Sequence, residues 1–220
     1  MAAIEDVLRT DPNCGMALYL LGMAAGEEGD ADRAVALLLR AAESEPQNAD
    51  IRSHLARKLR DLGDLAGASV NFARAVALAP QRADLAYGLG AGLVKTYKSA
   101  QGLLWLLRAL AAEPNYFESL MAAGTLLHLK GDDVAAVKIL TRAVQANPDN
   151  PDAYVLLGQS MISADMPLEQ VAVPFLAVAN RFPKLHRYHP PIVQYFHDIG
   201  DEPTYERYAK NMVDIQLAEA

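Results

Sequence analysis

Proline recurs along the chain at a fixed spacing, and the apolar positions between the prolines repeat with it. The prolines are Pro12, Pro46, Pro80, Pro114 and Pro148, each 34 residues after the last. Between them, apolar and small residues recur every three or four positions, which is the spacing of one helical face. Self-similarity at about 20–50 residues is typical of repeat proteins. The chain is therefore interpreted as an array of similar units.

Each period predicts two helices separated by a turn. In the first full period, Gly29 and Asp30 follow the first apolar helix. Glycine ends a helix in the left-handed conformation, and the aspartate after it can cap the next helix. Proline cannot continue a helix and closes the second one. In the third period "KTYKSA" replaces the glycine and the aspartate. One such hairpin cannot bury its own apolar face, so several must stack.

The repeating unit resembles the tetratricopeptide repeat, a helix-turn-helix of the same length. The positions that carry the resemblance in the first full repeat are Leu21, Gly22, Gly29, Ala34, Leu38, Ala41 and Pro46. The same register continues over residues 15–148, in repeats at 15–48, 49–82, 83–116 and 117–150. The resemblance implies an all-α fold, a right-handed α-solenoid of stacked hairpins.

The two ends depart from the period. A fifth, irregular repeat over 151–184 begins at "PDAYVLLGQSM", and we expect about two extra residues before its second helix resumes at Ala172, Leu176 and Ala179. Residues 185–220 lose the period and predict irregular capping helices near 191–199 and 203–218. Residues 1–14 are interpreted as a partial repeat without its first helix. This start indicates either a half-repeat that covers the stack or a segment of a longer protein, and we favour the second.

Composition narrows the partner classes. The formal net charge of -7 disfavours binding to nucleic acid or to anionic membranes. Cys14 is the only cysteine, so an internal disulfide and a multi-cysteine metal site are excluded. No apolar run approaches the roughly 20 residues of a spanning helix, and the acidic start "MAAIEDVLRTDP" is unlike a signal peptide. We expect a soluble, cytoplasmic protein that does not insert into membranes.

The resemblance places a partner-binding groove on the first helices of the repeats. The candidate groove residues are Met16, Tyr19, Met23, Ser53, His54, Arg57, Arg60, Tyr87, Met121, Thr125, His128 and Gln159. Asp84 and Glu118 occupy corresponding positions. Methionine adapts to varied apolar partners and tyrosine adds area with a polar tip, so a peptide or helix fits this surface better than a small metabolite. The carboxylate clamp of chaperone-binding family members is excluded, because its cationic positions are not occupied by cations here.

Catalytic and metal-binding patterns do not emerge from the sequence. His186, His189, His197 and Asp198 lie close together, but two prolines interrupt the segment and zinc-binding spacing is missing. We therefore expect no enzyme activity, no metal and no cofactor. The leading hypothesis is a non-catalytic protein–protein interaction scaffold. The alternatives are a substrate-recruiting or regulatory domain of a larger bacterial transferase or hydroxylase, and an assembly subunit that forms a homodimer through its C-terminal helices.

Overall fold

Helices make up the regular structure of the chain. A computed structural model describes residues 2–182, 189–203 and 205–206, and within these ranges it contains helices and no strand. The helices are α1 Ala2–Thr10, α2 Gly15–Glu27, α3 Ala31–Ser44, α4 Ala49–Asp61, α5 Leu65–Leu78, α6 Ala83–Lys95, α7 Ser99–Ala112, α8 Phe117–Leu129, α9 Asp133–Ala146, α10 Pro151–Ser163, α11 Leu168–Arg181 and α12 His189–Asp198. The predicted all-α fold of stacked helical hairpins is confirmed.

The helix lengths repeat as regularly as the sequence. The first helix of every full repeat has 13 residues and the second has 14. The first helices, from α2 to α10, begin 34 residues apart. In the partial N-terminal repeat, α1 ends at Thr10, the position that corresponds to the end of α3 at Ser44. The end of α1 therefore falls where the second helix ends in the full repeats.

Glycine and aspartate build three of the turns within hairpins. Gly29, Gly63 and Gly131 all adopt positive φ, at 85°, 85° and 76°. The following aspartate then accepts a hydrogen bond from the backbone N–H three residues later, as Asp64 does from Gly67 at 2.8 Å. This is an N-cap that satisfies one of the free donors of the second helix. The turn prediction is confirmed at these positions.

The third repeat makes the same turn without its usual residues. Tyr97 stands at the glycine position with φ 62°, and Lys98 at the cap position supplies no side-chain cap. The Thr96 hydroxyl donates to the Gly92 and Leu93 carbonyls, so it caps the end of α6 and leaves the start of α7 without a side-chain cap. Because the Tyr97 side chain is 96% exposed, few contacts offset the cost of its left-handed backbone.

Replacing Tyr97 with glycine should therefore raise the free energy of unfolding by about 1 kcal/mol, because the left-handed conformation costs an L-residue about 1–2 kcal/mol that glycine avoids. The measurement is a urea unfolding curve. Tyr97→Ala is the control, since it removes the same exposed ring but keeps the backbone penalty. An equal gain from both substitutions would show that the ring, and not the backbone, is the source of strain.

The described chain forms two compact units, residues 1–119 (unit 1) and 120–220 (unit 2). In unit 1, one apolar cluster centres on Leu18, Leu38 and Ile51, and another on Phe72 with its neighbours from α4 and α6. Small residues on the first helix let the second helix approach. In the first repeat, a Cβ on Gly22 would lie 2.9 Å from Leu38 Cγ.

In unit 2, the fifth repeat shows that the sequence-based register was wrong by one residue. Phe175 is buried and packs against Gly158, just as Leu140 packs against Gly124. The interval between these partners is 17 residues in the fifth repeat and 16 in the fourth, so one residue is inserted rather than two. The core positions of α11 that correspond to those of the other second helices are accordingly Val171, Phe175 and Val178, all at 0–1% exposure. The predicted core positions Ala172 and Leu176 are only half-buried, and the side chain of Ala179 lies outside the description.

The segment that follows is more regular than the sequence indicated. Gly200 adopts φ 72°, 35 residues after Asp165 at the corresponding turn of the fifth repeat. Its N–H donates to the His197 carbonyl at 3.0 Å, and the Asp201 N–H donates to the Phe196 carbonyl at 3.0 Å. The turn at Gly63 has the same two bonds. Thus α12 and its turn correspond to the start of a sixth repeat. Of the helix predicted near 203–218, residues 204 and 207–218 lie outside the described residues.

Candidate functional site

The first helices of unit 1 present a continuous row of interacting side chains. We call it the first-helix face, and it comprises Tyr19, His54, Arg57, Asp84 and Tyr87 on the helices and Tyr116 in the loop before α8. The Tyr19 ring from α2 meets the His54 ring from α4 edge-on, with centroids 5.5 Å apart. Arg57, one turn after His54, reaches Asp84 on α6. Each contact therefore joins one repeat to the next.

An ion-pair network lies in the middle of this face. Arg82, in the loop before α6, donates two hydrogen bonds to Asp84, at 3.1 and 2.8 Å. Its third nitrogen binds the Asp50 carboxylate on α4. Arg57 donates to Asp84 from the other side at 3.3 Å. Such two-pronged arginine–carboxylate contacts are more directional than single ion pairs. The network therefore fixes the spacing of α4 and α6 along the face.

The network also decides which charges are available to a partner. Burial of the Asp84 carboxyl alone would raise its pKa, but the hydrogen bonds and charges of Arg82, with the charge of Arg57, lower it overall. Asp84 is thus held ionised and is already neutralised by two guanidinium groups. Arg57, predicted as a residue of the groove, is paired with Asp84 and so is not a free cation. The positive and negative charges of this surface therefore nearly cancel, and a partner does not meet a strong cationic patch.

Two tyrosines extend the face beyond the network. The rings of Tyr87 and Tyr116 lie 5.6 Å apart with an interplanar angle of 57°. Burial and the charge of Glu118 raise the pKa of Tyr87, and burial with Glu118 and Asp84 raises that of Tyr116 to about 12. Both phenols therefore remain protonated donors throughout the physiological range. Glu118 is exposed, and its carboxylate makes no hydrogen bond or ion pair with the residues that the structure describes.

His54 acts as an aromatic surface rather than as a charge. Burial, followed by the positive charge of Arg57, lowers its pKa from 6.5. The imidazole is consequently neutral at pH 7, which suits its edge-on contact with Tyr19. A neutral ring beside two arginines also avoids adding a third like charge.

The other predicted residues of unit 1 differ in their exposure to solvent. Met16 is 46% exposed, and Met23 and Arg60 are half-buried. Ser53 differs, because its side chain is 1% exposed and its hydroxyl donates to the Asp50 carbonyl at 2.9 Å. Ser53 therefore faces the helix interface and does not belong to an accessible groove. The sequence analysis did not select Asp50, Arg82 or Tyr116, although an aspartate at the second position of consecutive repeats was a visible signal.

The predicted residues of unit 2 are all half-buried, and two of them serve their own hairpin. Thr125 donates its hydroxyl to the Met121 carbonyl at 2.8 Å. His128 Nδ1 lies 2.6 Å from an Asp133 carboxylate oxygen, which ties the end of α8 to the start of α9. Gln159, on α10, lines a cleft described below. These contacts leave Met121 and Gln159 as the adaptable members of the set.

The candidate residues offer apolar contact area and hydrogen-bonding groups. Within the described ranges, no group of three His, Cys, Asp or Glu side chains is placed to hold a metal ion. No helix in the same ranges is long and apolar enough to span a bilayer.

The family assignment follows from comparison with known sequences. The pattern of the tetratricopeptide repeat matches residues 2–49 and 98–160. The chain belongs to the tetratricopeptide repeat family. The match spans half of the chain and includes the partial N-terminal repeat and the start of the irregular fifth repeat. Among curated proteins, none matches the chain significantly.

Solved structures of tetratricopeptide repeat proteins share the fold. PilF of Pseudomonas aeruginosa is 16% identical over 94% of this chain and 97% of its own, with a TM-score of 0.73. MamA is 19% identical over 79% and 94% of the two chains, with a TM-score of 0.70. YrrB, described as a repeat protein with an unusual peptide-binding site, is 19% identical over 82% and 93%, with a TM-score of 0.69. At these identities the similarity shows the fold alone.

Proposed function

We propose that this protein is a non-catalytic interaction scaffold that holds a segment of a partner protein on the first-helix face of unit 1. The observation that carries the proposal is the row of aromatic pairs at both ends of the Asp50–Arg82–Asp84–Arg57 network. Tyrosine and histidine rings offer large, rigid contact area at low entropic cost. The fold of YrrB, with its peptide-binding site, supports a peptide as the occupant.

The network supports the same proposal through preorganisation. Because Arg82 and Arg57 already hold Asp84 in place, the rings on either side keep their spacing without a partner. A surface that is ordered before binding loses less entropy when it binds. The phenol groups of Tyr87 and Tyr116 and the carboxylate of Glu118 then supply hydrogen-bond donors and an acceptor for a peptide backbone or side chain.

Site-specific photo-crosslinking tests the face directly. A photo-reactive amino acid at Met16, at the edge of the first-helix face, should crosslink the partner in the native cell. The same amino acid at Val70 on second helix α5 is the matched control, since the two positions are 46% and 50% exposed. Mass spectrometry identifies the captured protein, and we expect it from Met16 only.

Two crosslinking results would contradict the proposal. If the same protein is captured equally from both positions, or from Val70 alone, the partner does not occupy the first-helix face. A second variant, Tyr87→Ser, should then be inert, whereas our proposal expects it to reduce the Met16 crosslink severalfold without loss of helicity.

A further inference from the structure

Unit 2 contains a cleft that the first-helix face of unit 1 does not explain. Its floor is apolar and is formed by Ile162 of α10, Val171 and Phe175 of α11, and Tyr195 of α12. Its volume is about 480 Å³. Pockets that bind ligands or side chains enclose about 300–1,000 Å³. The cleft is thus large enough for one bulky side chain and its neighbours.

The rim of the cleft is polar and carries one sign of charge. Asp165 and Asp198 lie at the rim, and Gln159 and Gln194 supply amide groups. No lysine or arginine lines it within the described part of the chain. The Asp165 carboxylate has no partner among the described residues, and hydrogen bonds from His197 and Gln194 lower the pKa of Asp198. The rim therefore presents two carboxylate side chains, and at Asp198 these hydrogen bonds favour the charged form.

The two glutamines place the cleft on the surface that the first helices of successive repeats share. With the one-residue insertion counted, Gln159 on α10 and Gln194 on α12 occupy the same position of successive repeats. That position is also occupied by Arg57 on the first-helix face of unit 1. The apolar floor lies beside these amides, where a partner segment would place one side chain downward and leave its neighbours at the rim.

Resting on the proposed scaffold function, we infer that this cleft takes a partner segment in which a bulky apolar side chain stands next to lysine or arginine. The apolar side chain fills the floor over Ile162 and Phe175. The adjacent cation meets Asp165 and Asp198 at the rim. Charge complementarity of this kind selects among partners more than it adds affinity, and the chain's net charge of -7 favours approach of a basic segment.

Fluorescence anisotropy with defined peptides tests the inference on the full chain. The basic probe is a fluorescein-labelled peptide with a Phe-Arg-Leu-Lys core between Gly-Ser flanks. Its acidic twin carries Glu in place of Arg and Lys, and its polar twin carries Ser in place of Phe and Leu. We expect saturable binding of the basic probe and at least tenfold weaker binding of both twins.

Substitutions at the rim and at the floor test separately how charge and apolar contact contribute to binding of the basic probe. Asp165→Asn with Asp198→Asn should weaken the basic probe about tenfold, which corresponds to about 1.4 kcal/mol. Asparagine tolerates the positive φ of 52° at residue 165, so the backbone is preserved. The matched control, Glu27→Gln with Glu113→Gln, removes two exposed carboxylates of unit 1 and should leave binding unchanged. Ile162→Ser, at a position 44% exposed, should weaken the probe through loss of the floor.

Several outcomes would overturn the inference. Equal binding of the basic probe and either twin would do so, as would unchanged binding by the rim variant. Failure of every probe, with light scattering at twice the 23.8 kDa chain mass, would assign the cleft to a second copy of the chain. If the probes fail while Met16 still crosslinks its partner, only this inference falls. If Met16 captures nothing while the basic probe binds as expected, the assignment to the first-helix face falls instead.

Discussion

Phe72→Ala should lower the free energy of unfolding of unit 1 by about 4 kcal/mol, because removal of a buried aromatic ring costs about 3–5 kcal/mol. Phe72 is 1% exposed and packs with Leu85 and Leu89 of the next repeat. The ring therefore links α5 to α6, and its loss leaves a cavity between two hairpins. Urea unfolding measures the loss, and hydrogen exchange should report it in α5 and α6 before α2 and α3.

Gly88 provides an internal control for this result. A Cβ on Gly88 would overlap the Phe72 ring, so Gly88→Ala should destabilise the protein by about 2 kcal/mol through overpacking. Phe72→Leu, which introduces the residue found at Leu38 and Leu140, opens space at that point. In the Phe72→Leu background, Gly88→Ala should therefore become neutral or stabilising. Simple additivity of the two substitutions would show that the ring and the glycine are not size-matched.

The hairpins were predictable because their signals are local. A glycine that must adopt positive φ and an aspartate that caps the next helix act within a few residues of each other, so Gly29-Asp30 and Gly63-Asp64 identify their turns without knowledge of packing. The repeated prolines then fixed the period. Tyr97 shows that these local signals are not required, since the third repeat turns at the same place without glycine or aspartate.

The fifth repeat could not be assigned from the sequence because "VAVPFLAVAN" is apolar at almost every position. Two registers then look equally good, and only packing against Gly158 selects Phe175. The sixth repeat was missed for a related reason. Val193 stands at the position that Gly158 occupies in the fifth repeat, so the small residue that marks the first helix is missing, although Gly200 and Asp201 preserve the turn signal.

The resemblance predicted which side chains of unit 1 share the surface of the first helices, but it did not predict the electrostatics of that surface. The repeat positions placed Tyr19, His54 and Tyr87 on accessible first-helix surface. They could not show that Arg57 is engaged by Asp84, because that contact depends on how α4 packs against α6. Ser53 was misplaced because a rotation of α4 by a fraction of a turn decides whether this position faces solvent or a neighbouring helix, and here it is buried.

Gly102→Val should lower the free energy of unfolding by about 3 kcal/mol, at the upper end of the usual overpacking cost. A Cβ on Gly102 of α7 would lie 2.6 Å from Val94 Cγ2 and 2.9 Å from the Gly90 carbonyl oxygen. The second of these contacts is with backbone, which cannot rotate away. The helices α6 and α7 would have to separate.

Gly92→Ala is the matched comparison on the same hairpin and should have the opposite sign. A Cβ there would meet only Ser69 Oγ, at an ordinary 3.5 Å. Alanine in a helix interior is favoured over glycine by about 0.5–1 kcal/mol, so we expect that gain in stability from urea unfolding. A small effect of Gly102→Val would mean that α6 and α7 can separate without loss. In that case the close approach of α6 and α7 at Gly90 and Gly102 would not be required for stability. The tight packing of the third hairpin could then not be what holds Asp84 and Tyr87 in position relative to α4.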